Sequence, residues 1–401
     1  MMITTTVINQ SRATTPCYSL NLNHRDRTTR SSIKASFLLR RRRCPIFNNT
    51  SSSAATATST TTTTTSRPRM NQKKVLITGS TKGLGFEIAK QFLEQGDRVC
   101  VTSRNEANVK FTVSQFKKMY GNDNVCGVAC DVSSAKDIEK LAKHCVDSLG
   151  GVDFWINNAG TNGYEYNDIV DQDPETIEEV VRTNSLGTLL CCREAIRTMR
   201  EQEKTDVGYH VFNMEGAGSD GAETRKYAAY GFTKAGLSQL TKTLNKELQT
   251  NEKLKDKMIK VHTVSPGMVF TDLISSGRYS FGKQGRMFVN ALAEPANVAA
   301  SGLVEKIKVE IAKSEGKKSL AIKLLTPDVA VVKLFNRFVK QVNKDRYYPE
   351  NDEDCENIMT ECIVGEVQSV NLLAGAQSKV DDDVVSQLVV AKEEVQENLS
   401  R

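Results

Sequence analysis

Long apolar runs are missing from this sequence of 401 residues. No stretch reaches eighteen consecutive apolar residues, roughly the shortest run that a bilayer-spanning helix needs. Histidine is also scarce, with four in the chain, and the ten cysteines include no CxxC pair. The cysteines are too few and too irregularly spaced for a secreted disulfide scaffold. We therefore expect no membrane-spanning helix and no metal site, and the cysteines are expected to be buried thiols in a reducing compartment.

Acidic residues are nearly absent from the first part of the chain. Residues 1–70 hold eleven basic side chains and a single acid, Asp26, and they are rich in Ser and Thr. Such a segment cannot bury enough apolar surface to offset the entropy of ordering, and its composition is typical of an organelle transit peptide. The Ser/Thr excess favours a plastid over a mitochondrion. The alternatives are an ordinary disordered arm, or a tether that binds nucleic acid or anionic lipid through the arginines at 40–43.

Basic residues are scarce at the other end, where residues 350–401 hold three of them against thirteen acids. This composition predicts a solvated, disordered tail, with a partner-docking segment as the alternative. The whole chain has a formal net charge of +6, but residues 71–401 alone hold 43 basic and 47 acidic side chains. A nucleic-acid partner is therefore not expected. The predicted organisation is a chloroplast transit peptide at 1–70, one catalytic domain at 71–349 and an acidic tail at 350–401.

The body of the chain alternates short apolar runs with helical patterns. The run VLIT at 75–78 is followed by a glycine-rich turn and then by apolar residues at helical spacing. This order predicts an α/β fold with a Rossmann-type doubly wound parallel sheet in a single domain, and it places the ligand at the carboxyl edge of the sheet. Five further strands are predicted within 98–103, 125–130, 153–160, 211–213 and 260–267.

The first predicted strand runs into the turn TGSTKGLG at 78–85. Glycines let the backbone turn tightly and approach a pyrophosphate, which then lies at the N-terminus of the next helix. The end of the second predicted strand indicates the cofactor, because an acidic residue there would bind a ribose 2′-hydroxyl. Thr102, Ser103 and Arg104 stand there instead, and Lys82 lies in the glycine turn. Two cations and two hydroxyls favour the 2′-phosphate of NADPH.

The body resembles the short-chain dehydrogenase/reductase family from about residue 73 to about residue 325. The motifs that carry the resemblance are TGSTKGLG (78–85), CDV (130–132), NNAG (157–160), Asn184, YGFTK (230–234) and SPGMVFT (265–271). The resemblance implies that Asp131 contacts the adenine, that residues 158–160 form a wall against the cofactor, and that Thr271 holds the nicotinamide amide. The residues expected to line the cofactor site are Thr78, Gly79, Ser80, Thr81, Lys82, Gly83, Leu84, Gly85, Ser103, Arg104, Asp131, Val132, Asn158, Ala159, Gly160, Tyr230, Lys234, Pro266, Gly267 and Thr271.

Tyr230 and Lys234 are four residues apart, so they share a face if they lie on one helix. In this family the pair relays a proton: hydride addition to a carbonyl produces an alkoxide, and Tyr230 would protonate it as the general acid. The ammonium of Lys234 would lower the pKa of the phenol, ordinarily near 10, and would hold the nicotinamide ribose. Asn184 resembles the family's fourth member, which completes a water-linked proton path. Tyr227 has Gly231 four positions on and so lacks such a partner.

The carbonyl-binding serine departs from the family pattern. Most members place it thirteen residues before the tyrosine in an N-x-S-S sequence, but here that position is Ala217 and the stretch that begins at Asn213 reads NMEG. The nearest hydroxyl is that of Ser219, eleven residues before Tyr230. Either Ser219 holds the carbonyl oxygen, or backbone amides of the glycine-rich turn hold it. A larger, glycine-lined pocket would fit a bulky flat substrate.

Several longer stretches are similar to the chlorophyll b reductases of plants and green algae, the non-yellow-coloring group. These stretches are NMEGAGSDG, YGFTKAGLSQL and HTVSPGMVFTDLISSG. The group has a form with membrane-spanning helices and a soluble form, and this chain resembles the soluble one. The resemblance implies NADPH-dependent reduction of the 7-formyl group of chlorophyll b, or chlorophyllide b, to 7-hydroxymethyl.

The same resemblance implies a location and partners. The protein is expected in the chloroplast, peripheral on the stromal face of the thylakoid membrane. It is expected to form a homo-oligomer or a complex with the membrane-spanning homologue, and to contact a light-harvesting complex. Two other functions stay open: another plastid carbonyl reductase, such as a 3-oxoacyl-carrier-protein reductase, and a non-catalytic pigment-binding subunit. The missing serine argues against the first, and the intact Tyr230, Lys234 and Asn184 argue against the second.

Residues 327–342 show apolar side chains at roughly helical spacing with lysines and arginine between them. Pro327 stands near the start of the pattern, a common position for the opening of a helix. The pattern predicts a helix packed on the body of the domain. The alternative is an amphipathic helix that contacts the thylakoid surface or a partner subunit.

Overall fold

The computed structural model describes residues 72–275 and 283–348. The predicted transit peptide and acidic tail lie outside the described residues. The strands within them are β1 (Lys74–Ile77), β2 (Arg98–Val101), β3 (Val125–Gly127), β4 (Phe154–Asn157), β5 (Tyr209–Met214), β6 (Ile259–Ser265), β7 (Val269–Phe270), β8 (Glu294–Pro295) and β9 (Ala321–Lys323). The helices are α1 (Gly83–Glu94), α2 (Glu106–Tyr120), α3 (Ala135–Leu149), α4 (Pro174–Val181), α5 (Gly187–Glu201), α6 (Ala228–Thr250), α7 (Asp272–Ser275), α8 (Lys283–Leu292), α9 (Ala296–Lys313) and α10 (Pro327–Phe338).

Seven of the strands form one parallel sheet in the order β3-β2-β1-β4-β5-β6-β9. The chain winds outward from β1 to β3 and then returns to β4 on the other side of β1. A crevice therefore opens between the carboxyl ends of β1 and β4, where such folds bind their ligands. The prediction of a doubly wound parallel sheet is confirmed.

The six strands predicted from the sequence are all present, with their ends shifted by a few residues. The seventh, β9, was missed because it is a three-residue edge strand in which only Ile322 is buried. A stretch this short, with an exposed residue on each side, gives no apolar run. The sequence pattern therefore detects the strands with a buried apolar run, including the edge strand β3, and misses the half-exposed edge strand β9.

Helices cover both faces of the sheet. On one face, α1 and α9 pack through Ile88, Phe92, Leu303 and Ile307, all fully buried. On the other face, α3 and α5 pack around Trp155 of β4, which is also fully buried. The strands are buried on both sides by these two layers, which explains their nearly continuous apolar sequences.

Helix α10 packs on α8 near the end of the described chain. Leu334 and Phe338 of α10 meet Met287 and Ala291 of α8 in a small buried cluster. The prediction of a helix packed on the body is confirmed, although the helix ends at Phe338. Within the two described ranges, no helix is both long and apolar enough to cross a membrane. The same residues contain no group of His, Cys, Asp and Glu side chains that could hold a metal ion.

Two buried histidines lie side by side on β5 and β6. His210 Nδ1 is 2.9 Å from His262 Nε2, and the backbone N–H of Leu320 donates to His262 Nδ1 at 3.0 Å. His262 therefore has its proton on Nε2 and donates it to His210, whose own Nε2 donates to the carbonyl oxygen of Val207 at 2.8 Å. Two neutral rings satisfy every one of these contacts. Burial lowers the pKa of both histidines, that of His210 to about 4.

We expect the protein to lose stability on mild acidification because of this pair. An unfolded histidine binds a proton near pH 6.5, whereas His210 stays neutral in the folded protein down to about pH 4. The unfolded state therefore binds more protons between these values, so the stabilisation is fully present above pH 6.5 and decreases below it. His210 alone should lower the free energy of unfolding by about 2 kcal/mol between pH 7 and pH 5. Urea unfolding at both values measures the difference, and equal stabilities would contradict it.

Candidate active site

The turn that follows β1 lies in the crevice between β1 and β4. Thr78 is buried, and its Oγ1 accepts hydrogen bonds from the backbone N–H groups of Asn158 and Ala159, both at 3.0 Å. The Asn158 side chain donates to the carbonyl oxygens of Thr78 and Gly79 at 3.0 and 3.1 Å. Ser80 Oγ in turn accepts from the N–H of Thr102 at 3.0 Å. The glycine turn, the wall after β4 and the end of β2 thus form one rigid unit.

Two glycines of this turn have no room for a side chain. Gly79 adopts a φ of +64°, in the left-handed region. A Cβ on Gly85 would lie 2.3 Å from the carbonyl oxygen of Gly79 and 2.4 Å from the Asn158 side chain. The start of α1 is therefore held against the turn, as a cofactor phosphate at a helix N-terminus requires. Thr81 and Leu84 are half-buried between them, and Gly83 also has a positive φ.

The two predicted phosphate-binding cations lie close enough to repel each other electrostatically. Lys82 pairs with Asp272 at 3.0 Å, and Arg104 pairs with Glu179 at 3.1 Å, both pairs largely exposed. The hydrogen bond that Lys82 donates to Asp272 raises the pKa of Lys82. The described residues thus offer two cations, and no acid stands at the end of β2 itself.

The hydroxyls at the end of β2 differ from the prediction. Thr102 is buried, and its Oγ1 donates to the carbonyl oxygen of Val128 at 2.6 Å, so it does not face the crevice as a phosphate ligand. Ser103 is half-buried, with Oγ 3.4 Å from the carbonyl oxygen of Asn105. Ser103 therefore stays a candidate phosphate ligand. The prediction that Thr102 supplies a second hydroxyl to the phosphate is wrong.

Asp131 and Val132 follow β3. Asp131 Oδ1 accepts from the N–H and the hydroxyl of Ser133, both at 2.9 Å, so its carboxylate has a fixed orientation. Val132 is buried, and a Cβ on Gly187 would lie 2.8 Å from it. This contact sets how closely α5 approaches the strand end. Both residues thus lie at the carboxyl edge, as predicted.

The last cofactor candidates lie after β6. Pro266 and Gly267 are half-buried, and a Cβ on Gly267 would lie 2.7 Å from Leu325. Thr271 is the neighbour that a Cβ on Gly83 would meet, at 3.8 Å. The turn after β1 and the turn after β6 therefore face each other across the crevice.

Tyr230 and Lys234 lie on one face of α6, as their spacing predicts. Lys234 Nζ is 5.6 Å from the centroid of the Tyr230 ring and donates to the carbonyl oxygen of Met214 at 2.9 Å. A Cβ on Gly160 would lie 3.8 Å from Lys234 Nζ, so the wall after β4 contacts the Lys234 ammonium. The pair therefore lies beside the cofactor crevice.

The pKa of Tyr230 moves in the opposite direction from the expectation. Burial raises it to about 12, because the phenolate would lose its hydration. Burial also lowers the pKa of Lys234 to about 8, and the nearby Glu215 carboxylate partly opposes that change. Desolvation outweighs any stabilisation of the phenolate by the Lys234 ammonium, so the expected net lowering of the phenol pKa does not occur. At neutral pH the phenol is thus fully protonated and available as a proton donor.

Asn184 lies in a π-helical turn, Arg182–Leu186, that links α4 to α5. Its Oδ1 accepts from the N–H of Thr161 at 2.9 Å, and its Nδ2 donates to the carbonyl oxygen of Thr161 at 2.8 Å and to Thr233 Oγ1 at 3.1 Å. Thr233 Oγ1 donates to the backbone oxygen of Tyr230 at 2.7 Å. π-Turns often occur at functional sites. Asn184 is thus buried beside Gly160 and joined to the Tyr230 helix through Thr233.

The glycine-rich turn after β5 lies against Tyr230 through Gly216, and Ser219 contacts that glycine. Ser219 Oγ accepts from the N–H of Gly216 at 3.0 Å, which leaves the hydroxyl proton of Ser219 for another acceptor. A Cβ on Gly216 would lie only 2.2 Å from Tyr230 Oη. Ala217 is exposed. The amides of Gly216 and Ser219 both make bonds within the turn, which favours the Ser219 hydroxyl over these two amides as the carbonyl-binding group.

Replacing Ser219 tests that choice. We expect Ser219→Ala to lower kcat/KM by about 10- to 100-fold, the effect of removing one hydrogen-bond donor to a developing oxyanion, with little change in cofactor affinity. The matched control is Ser114→Ala, which removes the hydroxyl of an exposed serine on α2. Steady-state kinetics decide the matter, and full activity of Ser219→Ala would show that the assignment is wrong.

Sequence reasoning missed three residues of this site. Thr161 and Thr233 hold Asn184, and Gly216 lies against the Tyr230 hydroxyl. Thr161 directly follows NNAG and Thr233 directly precedes Lys234, so their places within the motifs were the available signal. No pattern in the sequence indicates the contact between Gly216 and Tyr230, because it depends on how the turn after β5 folds back.

Known proteins are similar to this chain over much of its length. Residues 73–279 match the family model of the short chain dehydrogenases. A protein of Oryza sativa subsp. japonica, chlorophyll(ide) b reductase NOL, chloroplastic, is 44% identical over 277 residues, which are 69% of this chain and 78% of that protein. A protein of Arabidopsis thaliana, probable chlorophyll(ide) b reductase NYC1, chloroplastic, is 39% identical over 274 residues, which are 65% of this chain and 52% of that protein.

Solved structures share the fold. An actinorhodin polyketide ketoreductase determined with NADPH has a TM-score of 0.52 and 24% identity, over 63% of this chain and 95% of its own. A 3-oxoacyl-[acyl-carrier protein] reductase from Brucella melitensis determined with NAD has a TM-score of 0.55 and 20% identity, over 66% of this chain and 99% of its own. Since the family model matches more than half of the chain and the rice protein is covered over 78% of its length, the chain belongs to the short-chain dehydrogenase family.

Proposed function

We propose that this protein is a chlorophyll(ide) b reductase, which reduces the 7-formyl group of chlorophyll b or chlorophyllide b to a 7-hydroxymethyl group with NADPH. The enzyme is an NAD(P)H-dependent oxidoreductase of its family. The observation that carries the narrower proposal is the 44% identity to the rice chlorophyll(ide) b reductase over 277 residues, which are 78% of that protein. The glycine-rich turn after β5 supports it, since Gly216 packs against the Tyr230 hydroxyl with no side chain of its own.

The residues present fit a dinucleotide cofactor. The cradle formed by Gly79, Gly83 and Gly85 is one that side chains would fill, and a helix N-terminus opens onto it. When bound, NADPH supplies the hydride for the reduction. In this proposal residues 78–85 hold the pyrophosphate, Asn158 and Asp131 fix the adenosine half, and Thr271 with Lys234 hold the nicotinamide half.

The chain's own residues supply the proton and the orientation. Ser219 donates a hydrogen bond to the formyl oxygen and so directs it toward Tyr230. The Tyr230 phenol, protonated at neutral pH, gives its proton to that oxygen as negative charge develops on it. The Lys234 ammonium stabilises the phenolate that results, and Asn184 keeps the Tyr230 helix and the wall after β4 in register through Thr161 and Thr233.

One assay tests the function. The purified protein is incubated with NADPH and chlorophyllide b, and the pigments are separated by chromatography. The proposal requires a 7-hydroxymethyl product that forms in step with NADPH oxidation. Reduction of a 3-oxoacyl thioester together with an unchanged pigment would instead favour a plastid carbonyl reductase of another specificity. Pigment binding without turnover of either compound would favour a non-catalytic pigment-binding subunit.

The preference for NADPH rests on Lys82 and Arg104, and it gives a separate prediction. We expect Arg104→Leu to raise the KM for NADPH about tenfold and to leave the KM for NADH nearly unchanged, because only NADPH has the 2′-phosphate. The matched control is Arg200→Leu, which removes an exposed arginine paired with Glu201 at the end of α5. Equal effects of Arg104→Leu on both cofactors would contradict the assignment.

The proposed setting is the chloroplast, where the protein would lie peripherally on the stromal face of the thylakoid membrane. The chloroplastic relatives and the composition of residues 1–70 support the organelle. We propose that the protein forms a homo-oligomer or pairs with the membrane-spanning homologue, and that it meets its pigment at a light-harvesting complex. Import into isolated chloroplasts followed by fractionation of stroma and thylakoids tests the placement.

A further inference from the structure

Three tyrosine rings form a continuous aromatic row that ends at the proposed catalytic phenol. The ring centroids of Tyr166 and Tyr227 are 5.2 Å apart with planes at 52°, and those of Tyr227 and Tyr230 are 6.4 Å apart with planes at 63°. Tyr227 is the residue directly before α6, and Tyr166 belongs to the segment after β4. The row therefore runs from the surface, where Tyr166 is 37% exposed, to the position of Tyr230.

The outer end of this row is held in place by contacts around Lys226. Lys226 Nζ lies 5.0 Å from the centroid of the Tyr166 ring, a cation–π distance. Gln172 Nε2 donates to the carbonyl oxygen of Lys226 at 3.3 Å and to that of Asn167 at 3.0 Å. Lys226 also adopts a φ of +65°, an uncommon conformation for a residue with a side chain. The segment after β4 is thus fastened to the start of α6, which fixes Tyr166 relative to Tyr230.

Two exposed apolar side chains and a glycine-rich turn lie on or against the segments that carry the row. Ile169 and Val170, on the same segment as Tyr166, are 52% and 85% exposed. On the other side, the glycine-rich turn lies directly on α6, since a Cβ on Gly218 would come within 3.0 Å of Gly231. Aromatic rings recognise flat conjugated systems by stacking, and they give little advantage to a flexible acyl chain.

We propose that Tyr166 and Tyr227 form an aromatic docking face that binds the conjugated ring system of the substrate and so presents its aldehyde to Tyr230. This inference rests on the proposed function and names the residues that would recognise the macrocycle. Neither Tyr166 nor Tyr227 takes part in the proton transfer. The two residues act on substrate affinity, and Tyr230 acts on the proton transfer.

The test uses the full-length protein with Tyr166→Leu, Tyr227→Leu and the double variant, which keep apolar bulk and remove the aromatic ring. Phe111→Leu is the matched control, because Phe111 is an exposed aromatic residue on α2, outside the row. Two quantities are measured: the KM and kcat for chlorophyllide b, and the Kd for chlorophyllide a in the presence of NADP. Chlorophyllide a has a methyl group in place of the formyl group, so it reports binding without turnover. The Phe variants Tyr166→Phe and Tyr227→Phe test rescue by a ring without the hydroxyl.

Each Leu variant should raise both KM and Kd by about fivefold and the double variant by about twentyfold, with kcat within about threefold of the original. The Phe variants should recover most of the loss, and Phe111→Leu should change nothing. Leu variants that bind and turn over like the original protein would overturn the aromatic face while leaving the proposed function intact. If the original protein reduces no chlorophyllide b, the proposed function fails. The docking face then fails too unless chlorophyllide a still binds and the Leu variants weaken that binding.

Discussion

Tyr230→Phe should lower kcat by about a thousandfold, because the variant retains the ring and loses the proton that the developing alkoxide needs. The phenol is fully protonated at neutral pH, since burial raises its pKa to about 12. The hydroxyl acts mainly in the transition state, so the Kd for NADPH should stay within about twofold. Single-turnover kinetics with excess enzyme, together with cofactor binding followed by fluorescence, separate the two quantities.

The matched control for this variant is Tyr120→Phe. Tyr120 is the last residue of α2, and its hydroxyl lies 3.5 Å from the Glu94 carboxylate. Its replacement therefore tests the loss of a tyrosine hydroxyl outside the site. This control should retain full activity. Tyr230→Phe with more than a tenth of the original kcat would contradict the role of the phenol as the general acid.

Gly216→Ala should reduce kcat by about a hundredfold while hardly changing the free energy of unfolding. The added Cβ would lie 2.2 Å from Tyr230 Oη and 3.3 Å from Lys234 Cε, so the phenol must move. The end of a side chain can shift at small energetic cost to the fold, but a catalytic group displaced by about 1 Å can lose about a hundredfold in rate. The variant should therefore lose activity while it keeps its stability.

Ala217→Ser serves as the control in the same turn. It adds one oxygen at an exposed position, which is also where most of the family has its serine. We expect it to leave kcat within about threefold of the original. Thermal melts of Gly216→Ala and Ala217→Ser should agree within a few degrees. A fully active Gly216→Ala would mean that the Tyr230 hydroxyl has another position during turnover.

The sequence was sufficient to predict the fold because the signals for it are local. Each buried strand reads as an apolar run and the glycine turn stands at its expected place after β1, so the sheet and the crevice could be derived. The edge strand β9 was missed because a half-exposed three-residue strand has no such run. The sequence allows two surfaces for α10, because an amphipathic pattern does not indicate which surface its apolar face contacts. The structure shows that α10 packs on α8.

The site was predicted in its residue types and missed in its contacts. Spacing alone placed Tyr230 and Lys234 on one helical face, but the direction of the Tyr230 pKa depends on burial, which only the folded protein determines. The inward orientation of the Thr102 hydroxyl depends on the position of Val128, which lies on a neighbouring segment. Contacts between segments distant in sequence, such as that of Gly216 with Tyr230, are set by the path of the loops. Motifs therefore predict which groups take part, and the structure adds how they constrain one another.

We expect the hydride of NADPH to reach the 7-formyl carbon of chlorophyllide b at this site. The most direct measurement uses NADPH labelled with deuterium at the transferred position of the nicotinamide ring, with mass spectrometry of the pigment product. One deuterium should appear on the new hydroxymethyl carbon with the original protein, and almost none should appear with Tyr230→Phe. A pigment product without deuterium, or labelled cofactor consumed with chlorophyllide b unchanged, would contradict it.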